Sequence, residues 1–267
     1  MIRPARPDDY PAFAALFREL GATADPTPSE ARFRDDMMAN TFVATDEADA
    51  VLGYVQFDLL AEGAGYVRQL VVDRRARKSG LGKSLMHRVA QRCHEAGGRS
   101  WCLNVRPDNV AARGLYAALG LTDAHRNTAL RLAWASVEGV ARPRGVAAVV
   151  APGDYAAFEQ SLGIDPGILR SRDAGARVVL GVRSDAGEPL GCAAFDPDFP
   201  GASPFRAVEL GVARALLDAM RPYGRAEYDF VRVVIEDDEG LARALVGAGA
   251  EIVMLSIHMV GPLPAVG

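Results

Sequence analysis

Apolar residues along this chain follow two rhythms, one close to 3.6 residues and one of two, interrupted by short polar or glycine-bearing breaks. Asp8 or Asp9 can cap a first helix with Pro11 in its opening turn. Phe13, Leu16, Phe17 and Leu20 then share one face, up to a stop at Gly21. Two β-rich runs follow, 41–45 and 51–60, joined by a polar turn, and a third covers 66–72. From Leu81 the positions Leu85, Val89 and Cys93 return to helical spacing until Gly97 and Gly98 break it. A strand over 101–105, a helix over 109–119 with Gly120 at its C-terminal cap, and a strand over 129–134 complete this half. The order predicts a mixed α/β sheet with a helix set on a glycine turn at its centre.

The second half repeats the first in shortened form. Asp9-Tyr10-Pro11-Ala12-Phe13 returns as Asp154-Tyr155-Ala156-Ala157-Phe158, and Leu52-Gly53 returns as Leu190-Gly191. The run from Gly80 matches the run from Gly211, and the helix closing at Gly120 matches one closing at Gly249. The matches keep their order, which predicts a tandem duplication. The stretch Gly139 to Gly145 has the composition of a linker. The expected division is a first domain over 1–138, a linker over 139–145 and a second domain over 146–267.

Composition narrows the class only a little. About half of the residues are apolar and a quarter charged, as in a soluble globular protein, and no apolar run approaches the roughly 18 residues of a membrane span. The N-terminus lacks the apolar core of a signal peptide, and three cysteines with no C-x-x-C spacing suggest a reducing, cytoplasmic setting. Four scattered histidines offer no metal spacing, so no metal is expected. The net charge of −4 divides into about +2 over residues 1–135 and about −6 beyond them, with no basic stripe for nucleic acid. A monomer or homodimer is expected.

The segment Arg77 to Met86, RKSGLGKSLM, carries the chemistry. A phosphate-binding P-loop needs a glycine five positions before Gly82, where Arg77 stands. A dinucleotide fingerprint needs a third glycine where Leu85 stands. What remains is R-x-x-G-x-G on Arg77, Gly80 and Gly82, after a strand and opening a helix. Amides at a helix start lack intrahelical partners and favour an anion, and glycines let the backbone come close. Arg74, Arg75, Arg77, Lys78 and Lys83 add positive charge.

This pattern resembles the pyrophosphate loop of the GNAT superfamily of N-acetyltransferases, which use acetyl-coenzyme A. The stretch Leu103 to Leu121 resembles the family's second signature, a strand, an asparagine turn and a helix containing L-Y-x-x-x-G. The resemblance covers roughly residues 1–135 and implies two tandem GNAT-like domains. It also implies that Arg77, Lys78, Ser79, Gly80, Leu81, Gly82 and Lys83 hold the coenzyme phosphates, and that Leu70, Val71 and Val72 bond its pantetheine arm. Asn109 would bond the coenzyme as well, though it also suits a helix N-cap. Tyr116 would protonate the departing thiolate; otherwise it is a core aromatic beside Leu115 and Leu119.

The acceptor would be a primary amine of a small molecule or peptide, attacking the thioester directly. An alkyl amine of pKa near 10.4 must lose a proton first, a deficit of roughly 4–5 kcal/mol at pH 7. Where ribosomal-protein acetylating relatives carry a glutamate base this chain has Asn104, which cannot act as one and is assigned to substrate contact. Glu62 is the candidate base, with Asp58 second; a water chain or an already neutral amine would also serve. Arg68, or its neighbour Gln69, would face the substrate, where an arginine could hold a carboxylate. In the second copy Leu245 stands for Tyr116, Asp238 for Asn109 and Val208 for Arg77, so that copy is expected to keep the fold without binding coenzyme. A non-catalytic acyl-coenzyme A sensor is the alternative reading.

Overall fold

The computed structural model describes residues 1–20, 27–173 and 175–265. The first half runs β1 (Ile2–Pro4), α1 (Tyr10–Phe17), α2 (Glu30–Arg32), β2 (Thr41–Thr45), β3 (Val51–Leu59), β4 (Gly65–Val72), α3 (Leu81–Glu95), β5 (Ser100–Val105), α4 (Val110–Ala118) and β6 (Thr122–Ala133). The second runs β7 (Ala147–Val149), α5 (Tyr155–Leu162), α6 (Ile168–Arg172), β8 (Val178–Arg183), β9 (Pro189–Asp196), β10 (Gly201–Ala207), α7 (Leu210–Met220), β11 (Phe230–Glu236), α8 (Glu239–Gly247) and β12 (Glu251–Pro262). The expected strands and helices are present within one or two residues, except that the strand expected at 129–134 begins at Thr122. The helix stop expected at Gly21 lies outside the described residues.

Two compact units result: residues 1–124 with 257–267, and residues 125–256. In the first, strands run in the order β1-β2-β3-β4-β5-β12; in the second, β7-β8-β9-β10-β11-β6. The two orders match position for position, the structural counterpart of the sequence repeat. Each unit, however, takes its last strand from the other half of the chain. The units therefore differ from the expected division at residues 138 and 146.

The reason lies in the strands' apolar positions. Leu130, Leu132 and Trp134 bury in the second core with α7 and α8, whereas Ile257 and Met259 bury in the first core with α3 and α4. Nor is the expected linker loose chain: Val140 is buried in the second core, and the Arg144 backbone donates to the Gly211 carbonyl at 2.9 Å.

In the first unit, α3 and α4 cover one face of the sheet and α1 the other. From α3, Leu85, Met86, Val89, Ala90 and Cys93 are buried, each large apolar side chain contributing about 1.5–3 kcal/mol. Arg3 and Asp9 form a buried two-point ion pair at 2.8 and 2.9 Å that ties β1 to the start of α1. In the second unit, α7 and α8 cover one face and α5 and α6 the other. Among the described residues no helix is long and apolar enough to cross a membrane.

Candidate functional site

The turn between β4 and α3 is built by backbone conformation. Asp73 accepts from the Arg75 amide at 2.8 Å and starts a short turn over Arg74–Ala76. Lys78 and Gly80 both have left-handed backbones, with φ of 63° and 88°. Gly80 has open space where a Cβ would project, and its carbonyl accepts the Ser84 amide at 3.0 Å to begin α3. The first amides of α3, from Leu81, Gly82 and Lys83, thus precede any intrahelical acceptor. A Cβ on Gly82 would lie 3.4 Å from Leu115 and 3.9 Å from Leu70, filling the space between α3, α4 and β4.

Charge around the turn is partly committed within the protein. Arg75 pairs with Asp73 at 2.7 Å, and its side chain and backbone bonds hold the Asp73 carboxyl down at about 2. Arg77 donates to the Val72 carbonyl at 3.0 Å and to Glu19 at 3.1 Å, and Arg74 lies 3.6 Å from the same Glu19. Lys78 and Lys83 are exposed and make no ion pair among the described residues. The expected phosphate residues are therefore together, but Arg77 is turned toward the strand end and Glu19.

Just below the turn the sheet parts. β4 pairs with β5 only through Gly65↔Trp101, Tyr66↔Cys102 and Val67↔Leu103. Beyond Val67 the edge of β4 has no strand partner on the β5 side. The Asp73 amide donates to the Leu52 carbonyl of β3 at 2.8 Å, and the Val71 carbonyl lies against Gly53. By alternation, Leu70 and Val72 are the residues whose backbone groups turn to the gap, and Val71 faces β3. Half-buried Leu70, Val72, Leu81, Ala112 and Leu115 give this slot apolar walls.

Tyr116 on α4 belongs to the same apolar cluster and is 8% exposed. Burial pushes its hydroxyl up to about 12, so at neutral pH it keeps its proton and remains a donor. Asn109 caps α4, its Oδ1 accepting from the Ala112 amide at 3.2 Å, which leaves Nδ2 for another partner. The Cys93–His94 pair carries no nucleophile: Cys93 is buried, with its thiol pushed up to about 11, and His94 is bonded to the Pro264 carbonyl at 3.0 Å.

On the opposite face a polar group collects where the strands part. The β3–β4 register shifts between Gln56 and Phe57, so that Arg68 is the extra residue of a bulge. Arg68 bonds Asp58 at 2.5 Å and lies 4.6 Å from the centre of the Tyr66 ring. Gln69 accepts from the Tyr54 hydroxyl at 2.8 Å. Asn104, the first residue of β5 past the last paired position, donates through Nδ2 to the Tyr66 hydroxyl at 2.8 Å. Its Oδ1 meets Nδ1 of His258 at 3.0 Å.

His258 had no place in the sequence-based expectation. It reaches this position on β12, in register with Asn104, because the last strand of the second half completes the first unit. No local signal marks such an exchange; only the strand order reveals it. Glu62 lies elsewhere. It is exposed in the β3–β4 connection, with φ 57°, and the adjoining Gly63 packs on Ala96 and Gly98 at the C-terminal end of α3. At about 1.5 Å per residue, the 15 residues of α3 separate that end from the glycine turn by roughly 22 Å. Arg68 and Asn104 belong to the group at the gap, and Glu62 does not.

Comparisons with known proteins agree with this geometry. Residues 10–121 match the model of the acetyltransferase (GNAT) family. No curated protein matches the chain by sequence. Among solved structures, a GCN5-related N-acetyltransferase from Sphaerobacter thermophilus superposes with a TM-score of 0.68 at 16% identity, over 100% of this chain and 96% of its own. A tandem GNAT protein from the clavulanic acid biosynthesis pathway gives 0.57 at 16% identity, over 100% of this chain and 99% of its own. At such identities the likeness is one of fold, and it extends through both halves. Residues 10–121 thus match the acetyltransferase (GNAT) family model, and both halves of the chain share the fold of these solved structures.

Proposed function

We propose that the first unit is an acetyl-coenzyme A-dependent N-acetyltransferase acting on a primary amine of a small molecule or peptide by direct attack. The observation that carries this reading is the parting of β4 from β5 directly below an open, glycine-lined helix start. When bound, acetyl-coenzyme A supplies an activated acyl thioester. The amides of Leu81, Gly82 and Lys83, with Lys78, Ser79 and Gly80 of the turn, would grip its diphosphate. Leu70 and Val72 offer backbone groups to the pantetheine arm, and Asn109 offers Nδ2. Arg77 acts less directly, by fixing the Val72 carbonyl.

Tyr116 stands on the α3–α4 side of the slot, and the amine would arrive from the side of Tyr66, Arg68 and Asn104. As the amine nitrogen bonds to the acyl carbon, the carbon–sulfur bond breaks and the Tyr116 hydroxyl gives its proton to the leaving sulfur. Because Arg68 is already bonded to Asp58, it is not available to a substrate carboxylate without breaking that pair.

Calorimetric titration with acetyl-coenzyme A, followed by thiol release across a panel of aminoglycosides, polyamines, amino acids and peptide N-termini, tests the reading. Saturable coenzyme binding and amine-dependent thiol release are expected. Absence of binding at millimolar coenzyme would overturn it.

A further inference from the structure

We propose that His258, carried into the first unit by the last strand of the chain, is the general base that takes the proton of the acceptor amine. The inference deepens the transferase reading and rests on it. Three observations lead there. First, β4 and β5 separate after Val67↔Leu103, so Asn104 stands at the mouth of the gap, and His258 is its direct cross-strand partner. Second, Ile257 and Met259 on either side of His258 are buried with α3 and α4, so the imidazole projects from the other face, where the acceptor would arrive. Third, the Asn104 carboxamide sets the tautomer. With Oδ1 turned to His258 and Nδ2 turned to Tyr66, Oδ1 accepts the proton carried on Nδ1, which makes Nε2 the basic nitrogen. Asn104 is then a positioning residue, the role an asparagine can fill although it cannot be a base.

The proton balance closes with the residues named. The ammonium form of the acceptor gives one proton to Nε2 of His258, and the neutral amine attacks the acyl carbon. The carbon–sulfur bond breaks, and the sulfur takes the Tyr116 proton. The new amide nitrogen sheds its second proton, which restores Tyr116, and His258 releases its own proton to solvent, for a net release of one proton when the amine enters charged. Among the titratable or charged groups of this polar cluster, Tyr66 on β4 shares the Asn104 carboxamide with His258, and Arg68 on β4 and Asp58 on β3 bond each other. Of these, Asp58 is held by Arg68. Asp123, at the start of β6, is bonded to Arg113 at 3.0 Å. This assignment also gives the second half a part in the chemistry whether or not it binds coenzyme, since truncating it would remove the base.

The test compares wild type and His258→Gln from pH 5.5 to 9.5 with a lysine-like amine, alongside coenzyme affinity by calorimetry. Wild-type kcat/KM is expected to rise with pH through a limb that requires the neutral imidazole. His258→Gln is expected to lose that limb and to fall about 100-fold or more in kcat, with coenzyme Kd unchanged within about twofold. A variant that keeps the wild-type rate and pH profile overturns the assignment. So does one that loses coenzyme binding, because a base on the acceptor face has no part in holding the coenzyme. Failure of the wild type itself to acetylate any amine defeats the transferase reading first, and is told apart because it appears before any substitution.

Discussion

The two units share one strand order, yet their corresponding gaps differ. In the first unit the helix after the fourth strand opens on Gly80, with space around it. In the second, α7 opens on Glu209, whose backbone is extended at φ −161°. The Arg142 carbonyl lies 3.0 Å from where a Cβ on Gly211 would sit, and Arg144 pairs with Glu209 at 2.8 Å. The chain itself therefore covers that helix start, and a carboxylate stands where an anion would come. β10 and β11 also part, after Ala202↔Val233, but an ion pair between Arg206 and Glu236 crosses the gap. Leu245, in the place of Tyr116, is buried and has no proton to give. One scaffold thus leaves the helix start and the slot open in one copy and fills both with its own groups in the other.

The first way to sharpen this contrast is Tyr116→Phe, which is expected to lower kcat about 100- to 10,000-fold while leaving coenzyme Kd nearly unchanged, as read by thiol release and calorimetry. An undiminished rate would remove the tyrosine from the chemistry. Next in size is the pair Asp9 and Asp154, equivalent in the repeat. Asp9 is buried against Arg3, whereas Asp154 is exposed and 3.2 Å from Arg183. Asp9→Asn should cost about 3–5 kcal/mol in denaturant unfolding, and Asp154→Asn less than about 1. Burial alone would raise the Asp9 carboxyl, but the Arg3 side chain and the Arg6 amide outweigh it and hold it below its ordinary value. Its contribution is therefore complete above the unfolded value of about 3.9 and is lost as pH falls through the folded one. An Asp9→Asn protein should accordingly show a shallower acid limb in its stability curve.

A smaller effect is expected at Gly82. A leucine there would intrude between Leu115 and Leu70 and weaken coenzyme binding by roughly 10- to 100-fold, the size of an overpacking penalty of about 1–3 kcal/mol. The equivalent change at Ala213 in the second unit should leave coenzyme affinity untouched. Binding stoichiometry should be one coenzyme per chain, and a value of two would erase the distinction between the copies. Smallest is Arg75→Ala. It should return the Asp73 titration midpoint from about 2 toward the ordinary carboxylate range, followed by NMR, with little effect on turnover.

Much of the site was legible along the chain because it is local. The turn from Asp73 to Gly82 depends on backbone conformations that glycine adopts readily, and on a helix start a few residues away. Asn109 and Tyr116 lie seven residues apart on one element, so the signature that names them also positions them. Glu62 is near β4 in sequence, but it precedes the end of that strand remote from the glycine turn. Arg77 stood in the expected loop, yet its guanidinium was claimed by Glu19, 58 residues earlier.

The sequence by itself determined the elements, their repeat and the glycine turn before α3, since each rests on the pattern or conformation of nearby residues. Only the tertiary structure decided which unit receives each final strand. β6 and β12 carry similar burial patterns, exposed at the start and apolar in the second half, and hydrogen bonding at a sheet edge does not read which half of the chain supplies the strand. That choice sets His258 beside Asn104 across 154 residues, a contact fixed by packing of Ile257 and Met259 into the first core rather than by any pattern near either residue.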